Sequence, residues 1–139
     1  MLRIWGSVAL AVLIGTGAQA ENFTTAAEVK PILDATKPQW IAVQAYDGKD
    51  LLYFTNLLAW RCGVSEIRYG INGAPAETVF AMEPCHEDTA QPNALMMENG
   101  QWPYISLDLN AVATVSLFVV FDDDSTTTAE YDRKSILLP

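Results

Sequence analysis

The stretch Thr114–Tyr131, TVSLFVVFDDDSTTTAEY, carries the fold in miniature. Val115, Leu117, Val119 and Phe121 recur at every second position, the period of a strand whose successive side chains point to opposite faces. Phe118 and Val120 keep the other face partly apolar, which predicts a central strand rather than an edge. Asp122-Asp123-Asp124-Ser125 then reads as a turn, and Thr126 to Tyr131 as the returning strand.

Working outward, the same grammar repeats. Ser65 to Ile71 alternates, with Ile67, Tyr69 and Ile71 facing a core and Glu66 and Arg68 facing outward. Asn72-Gly73 follows, a dipeptide suited to the positive backbone angles of a tight hairpin. Pro75 begins the returning segment, and Glu77 to Met82 is expected to complete the pair. Farther upstream, Trp40 to Tyr46 predicts a strand with Ile41, Val43 and Ala45 on one side. Asp47-Gly48-Lys49-Asp50 predicts a turn, and the apolar run Leu51–Trp60 a buried strand. Tyr104 to Leu109 alternates again, and the chain ends in the apolar Ile136-Leu137-Leu138. Residues 83–103, with Pro84, Pro92, Asn93, Asn99-Gly100 and Pro103, form an irregular middle.

About six to eight short strands separated by turns predict a mainly β protein, a single antiparallel β-sandwich, immunoglobulin-like or related. One short helix precedes it over about 24–37, because Thr25-Ala26-Ala27-Glu28 matches a capping box and Val29, Ile32 and Leu33 fall at helical spacing. Pro31 implies that this helix is short or begins near Lys30, and Pro38 ends it.

The first twenty residues read as a signal peptide: Arg3, an apolar stretch from Ile4 to Ile14, and Ala18-Gln19-Ala20 as a cleavage site before Glu21. A spanning helix needs about 20 apolar residues, more than this run offers. The organisation is therefore a leader over 1–20 and one sandwich domain over 21–139, with no membrane span expected in the mature chain. Among 139 residues, 8 are Lys or Arg and 17 Asp or Glu, giving a formal charge of −9. Such a chain is a poor partner for nucleic acid, whose phosphates are bound through Lys and Arg. With 50% hydrophobic residues it is also too apolar to remain disordered. Cys62 and Cys85 are an even pair in an exported chain, so a structural disulfide is expected.

The run Trp40-Ile41-Ala42-Val43 through Tyr46-Asp47-Gly48-Lys49-Asp50-Leu51-Leu52-Tyr53-Phe54-Thr55, then Trp60-Arg61-Cys62-Gly63-Val64-Ser65-Glu66-Ile67-Arg68-Tyr69-Gly70 and the final Tyr131-Asp132-Arg133, resembles small exported proteins of alphaproteobacteria without an assigned function. The resemblance implies a periplasmic setting and brings no catalytic residues.

Few groups offer chemistry. His86 is the one histidine and adjoins Cys85, but sequence neighbours seldom align as nucleophile and base, because their side chains diverge. A metal site from Cys62, Cys85, His86 and Glu83 or Glu87 lacks the closely spaced ligand pairs of structural zinc. Asp122-Asp123-Asp124 invites calcium, yet an EF-hand needs Gly and Glu where Thr127 and Arg133 stand. The bland reading is a charged hairpin tip that discourages edge pairing. No nucleophile elbow or phosphate-binding glycine loop occurs.

Most aromatic residues sit at core-like positions. Trp102-Pro103-Tyr104 follows a loop of Pro, Asn and Gly, where exposed aromatics suit recognition, so Trp102 and Tyr104 are the candidate contacts. The expectation is an exported, non-enzymatic binding or accessory module that meets another periplasmic or envelope protein and carries no cofactor, metal or catalytic residue. The alternative is a small carboxylate- or metal-dependent hydrolase.

Overall fold

The computed structural model describes residues 22–139, so the signal-peptide reading of residues 1–20 lies outside the described part. Helix α1 (Ala26–Thr36) opens it and runs through a 3-10 turn to Gln39. Thr25 caps α1: its hydroxyl accepts from the Glu28 N–H at 3.3 Å and donates to the Glu28 carboxylate at 2.8 Å. Glu28 also reaches back to the Phe23 N–H, so the cap follows the capping-box logic. α1 falls within the expected span of about 24–37 and is the short helix begun at the Thr25 cap, not one begun near Lys30. The proline lies inside the helix on its exposed side, while Ala26, Val29 and Leu33 form the buried stripe.

The strands form two antiparallel sheets in a sandwich-like arrangement. Strands β1 (Ala42–Tyr46), β2 (Lys49–Tyr53) and β5 (Tyr104–Asp108) make one sheet in the order β1-β2-β5. Strands β3 (Val64–Ile71), β4 (Thr78–Val79), β6 (Thr114–Phe121) and β7 (Thr126–Asp132) make the other, in the order β4-β3-β6-β7. As its two apolar faces imply, β6 is central, paired with β3 and with β7. Asp47-Gly48 and Asn72-Gly73 are both tight turns with φ positive at each residue, the geometry that only such dipeptides adopt at low cost.

Buried side chains form one apolar cluster among the described residues. Val29 and Leu33 of α1 meet Val43 and Leu52 of the smaller sheet and Ile67, Val115, Leu117 and Val119 of the larger one. Trp40 is buried at the end of the 3-10 turn, not at the head of a strand, and its indole N–H donates to the Leu33 carbonyl at 2.9 Å.

The sequence reading departs from the structure in further places, the first being that Lys49 and Asp50, expected in the turn, open β2. Leu51–Trp60 is not one strand: β2 stops at Tyr53, whose partner Ala42 is the first residue of β1, and Thr55–Leu58 turns into a short helix, α2. Beyond Tyr53 a strand would have no neighbour on that side, and a helical turn buries the adjacent Leu57 and Leu58 together. The return after Asn72-Gly73 pairs only at Thr78 and Val79, since Pro75 has no N–H to give a ladder. Ala45 is exposed near the end of β1. Finally, the apolar C-terminus is no strand. Arg133–Ile136 is a short helix, α3, after which Leu137 bridges Val43 in parallel and the Leu138 N–H donates to the Val43 carbonyl at 2.8 Å.

Candidate functional site

Cys62 and Cys85 are joined in a disulfide across a sequence separation of 23, as expected. The bridge anchors the start of the irregular segment 83–103 beside a buried polar node. Arg61, fully buried, donates to the carbonyls of Leu58, Glu83, Pro84, Asn93 and Ala94 and to the Glu83 carboxylate at 3.2 Å. Glu83 in turn accepts the N–H groups of Met96 and Met97 and contacts His86 Nε2. Burial pushes the Glu83 carboxyl up, but the Met96 N–H, His86, the Met97 N–H and the Arg61 charge outweigh it and hold the group below its ordinary value. One arginine thus gathers carbonyls that no helix or sheet satisfies, which is how a segment without regular structure stays ordered.

This arrangement assigns the residues that had suggested chemistry. The sulfurs of Cys62 and Cys85 bond each other and His86 turns to Glu83, so no thiolate faces an imidazole. Among the described residues no three His, Cys, Asp or Glu side chains are grouped to hold a metal ion. The two buried carboxylates, Asp50 and Glu83, are each bound to an arginine and to main-chain N–H groups. At the acidic tip, Asp123 accepts from the Ser125 N–H and hydroxyl and from Lys30, and these bonds hold its carboxyl at about 2. The tip is therefore a turn clasped to α1 by Lys30.

A cleft of about 500 Å³ lies between α1 and the β6–β7 hairpin over Trp40 and Phe121. No motif announced it. Its two ammonium groups already have partners: Lys30 binds Asp123 and lies 5.5 Å from the Phe121 ring, while Lys37 binds Thr127 and the Thr128 carbonyl and lies 5.4 Å from the Trp40 ring. The cleft reads as the clamp between helix and sheet.

Trp102 and Tyr104, singled out from sequence, line one groove of about 270 Å³. Trp102 is 51% exposed, whereas Trp40 is 1% exposed, so the loop tryptophan is free to meet a partner where the helix-end one is not. Tyr104 packs against Tyr53, the rings tilted at 58° with centroids 5.4 Å apart, on the outer face of the smaller sheet. The opposite wall is Val79, Phe80 and Ala81, from the end of β4 onward. Sequence reasoning missed this wall, because Val79 belongs to a segment expected to be an ordinary ladder strand. Exposed Met96 and Met97 belong to the same irregular segment. The groove lies at the seam where β5, an edge of one sheet, approaches β4, an edge of the other.

No protein-family model matches the chain, and no match was found among curated proteins or solved structures. Among the described residues no helix is long and apolar enough to cross a membrane.

Proposed function

We propose that this is an exported binding module of the periplasm or envelope that captures a protein partner through the groove of Trp102 and Tyr104. The observation that carries the reading is the convergence of these two side chains with exposed Val79 on one uncharged groove, in a protein whose buried side-chain polar atoms, among the described residues, all have hydrogen-bond partners. Exposed aromatic and apolar contacts on a rigid scaffold are the usual anchors of protein recognition. The disulfide fits an oxidising compartment. The sequence resemblance to exported alphaproteobacterial proteins supports the same compartment.

The test is capture. The tagged protein and its Trp102→Ala/Tyr104→Ala variant would be used to retrieve envelope proteins after mild cross-linking in the native compartment. A partner retrieved by the parent and lost by the variant, with both proteins melting within a few degrees of each other, supports the reading. Equal retrieval by both removes this surface from the function.

A further inference from the structure

We infer that the groove receives its partner as an added β-strand, an extended Lys- or Arg-bearing segment that pairs with the free edge of β5. The inference rests on the proposed function and names the partner's conformation and charge.

Among the described residues four sheet edges exist: that of β1 is covered, that of β4 is short, that of β7 is engaged at one carbonyl, and that of β5 is the one of useful length beside the aromatic groove. The outer edge of β1 is taken by the C-terminal tail, through the Val43–Leu137 bridge and the Leu138 N–H. On β7, the Lys37 ammonium occupies the Thr128 carbonyl. Strand β4 has only two residues. Strand β5 has five, and among the described residues no other strand lies on its far side.

The hydrogen-bond alternation identifies the free groups. The Phe54 N–H donates to the Pro103 carbonyl at 2.8 Å, continuing the register in which Leu52 faces Ile105 and Asp50 faces Leu107. In an antiparallel ladder bonded and non-bonded pairs alternate, so Ile105 and Leu107 spend their main-chain groups on β2. Tyr104 and Ser106 therefore aim theirs away from β2, and no turn or loop bond reaches them among the described residues. Two residues with outward N–H and C=O groups at strand spacing, beside an apolar groove, are what strand addition requires: the main chain supplies affinity and the groove selects a side chain.

Charge selects the occupant. No Lys or Arg lines the groove. Exposed Glu77 precedes β4 and exposed Glu98 precedes the Gly100 corner, while Asp108, which ends β5, is 92% exposed and loosely paired with Lys49 at 3.5 Å. Arg61, Arg68 and Arg133 are each committed to a carboxylate. A second copy of this chain would bring another −9 to an acidic edge, which opposes self-pairing. A cationic extended segment meets the opposite field.

The test uses synthetic nine-residue peptides alternating Lys with Val, or Glu with Val, and amide hydrogen exchange of the intact protein read residue by residue. The Lys/Val peptide is expected to slow exchange at Tyr104 and Ser106 while leaving the already bonded Ile105 and Leu107 unchanged. The Glu/Val peptide is expected to bind about tenfold more weakly or worse. Ser106→Pro, which removes one outward N–H on an edge strand, is expected to weaken binding about fivefold or more. Should that variant misfold, N-methylation of alternate peptide amides serves instead: methylation of one set abolishes binding and of the other set does not. Binding that perturbs Trp102 without slowing Tyr104 or Ser106 overturns strand addition and leaves the aromatic groove in place. Failure of both peptides to bind, with partner capture still sensitive to Trp102 and Tyr104, overturns the inference but not the function. Protection of Tyr104 and Ser106 that grows with protein concentration alone assigns the edge to a second copy and overturns the cationic partner.

Discussion

Asp50 of β2 and Arg133, at the junction of β7 and α3, clasp each other with two bonds, Nη1 to Oδ2 at 2.6 Å and Nη2 to Oδ1 at 3.1 Å. The first residue belongs to the smaller sheet and the second directly follows an edge strand of the larger, so the pair ties the two layers together. Asp50 is wholly buried, and it also accepts the Val112 N–H at 3.1 Å, while Arg133 donates to the Val112 carbonyl. A carboxylate at this depth persists only because every acceptor site facing the protein is used.

Breaking the clasp leaves a buried charge without its partner. Arg133→Ala, which leaves the wholly buried Asp50 carboxylate unpaired, is expected to lose about 3 kcal/mol of stability, the scale for removing one member of a buried pair. Urea unfolding followed by circular dichroism reads the loss. A change below about 1 kcal/mol would show that the sheets hold together without this pair.

The clasp and the node at Glu83 also set the acid limit. The Arg133 hydrogen bonds, working against burial, hold the Asp50 carboxyl at about 2, and Glu83 is likewise held below its ordinary range. A depressed folded value stabilises the protein above the unfolded value and is lost as pH falls through the folded one. Stability is therefore expected to be level down to about pH 5 and to decline between about pH 4 and pH 2. In Asp50→Asn that decline should be shallower from a lower starting point, as seen in urea midpoints across this range.

The disulfide limits the unfolded chain over a separation of 23 residues. Replacing both cysteines by Ser is expected to cost roughly 3 kcal/mol. The double variant should also exchange the Met96 and Met97 amides faster, because the Glu83 that holds them lies two residues from Cys85. Unchanged exchange there would mean that the Arg61 node alone orders the segment.

Two glycines separate packing from backbone conformation. A Cβ on Gly63 would stand 2.3 Å from Val29 Cγ2 and 2.6 Å from the Thr25 carbonyl, forcing α1 away from the sheet. Gly63→Ala is expected to cost about 2 kcal/mol or more. Gly48 has open space around it but a φ of +74°, so Gly48→Ala is expected to cost only about 1 kcal/mol. Thermal melts of the two variants, compared directly, check the order.

Trp102→Ala should leave stability within about 0.5 kcal/mol, since the side chain is half exposed and holds no hydrogen bond. A larger drop would place Trp102 among the supports of segment 83–103 rather than at a binding surface.

By itself the sequence determined the strand periodicity of Thr114–Phe121 and Ser65–Ile71, the tight turns at Asp47-Gly48 and Asn72-Gly73, the Thr25 cap and the pairing of its two cysteines. Each of these is a local matter, written in alternation, in turn residues tolerant of positive φ, or in an even cysteine count. The exposure of Trp102 was also legible, because an aromatic residue after a Pro- and Gly-rich loop, ahead of the alternating Tyr104–Leu109, has no pattern to bury it. Only the tertiary structure decided where Leu51–Trp60 breaks, since an unbroken apolar run fits strand and helix equally until the length of its neighbour β1 is known. Only the tertiary structure brought Arg61 to Glu83, Arg133 to Asp50 and Val79 to Trp102, contacts between residues 22, 83 and 23 positions apart. Such contacts depend on which sheet each strand joins, and that choice is made by the packing of the whole core, which no local stretch of sequence records.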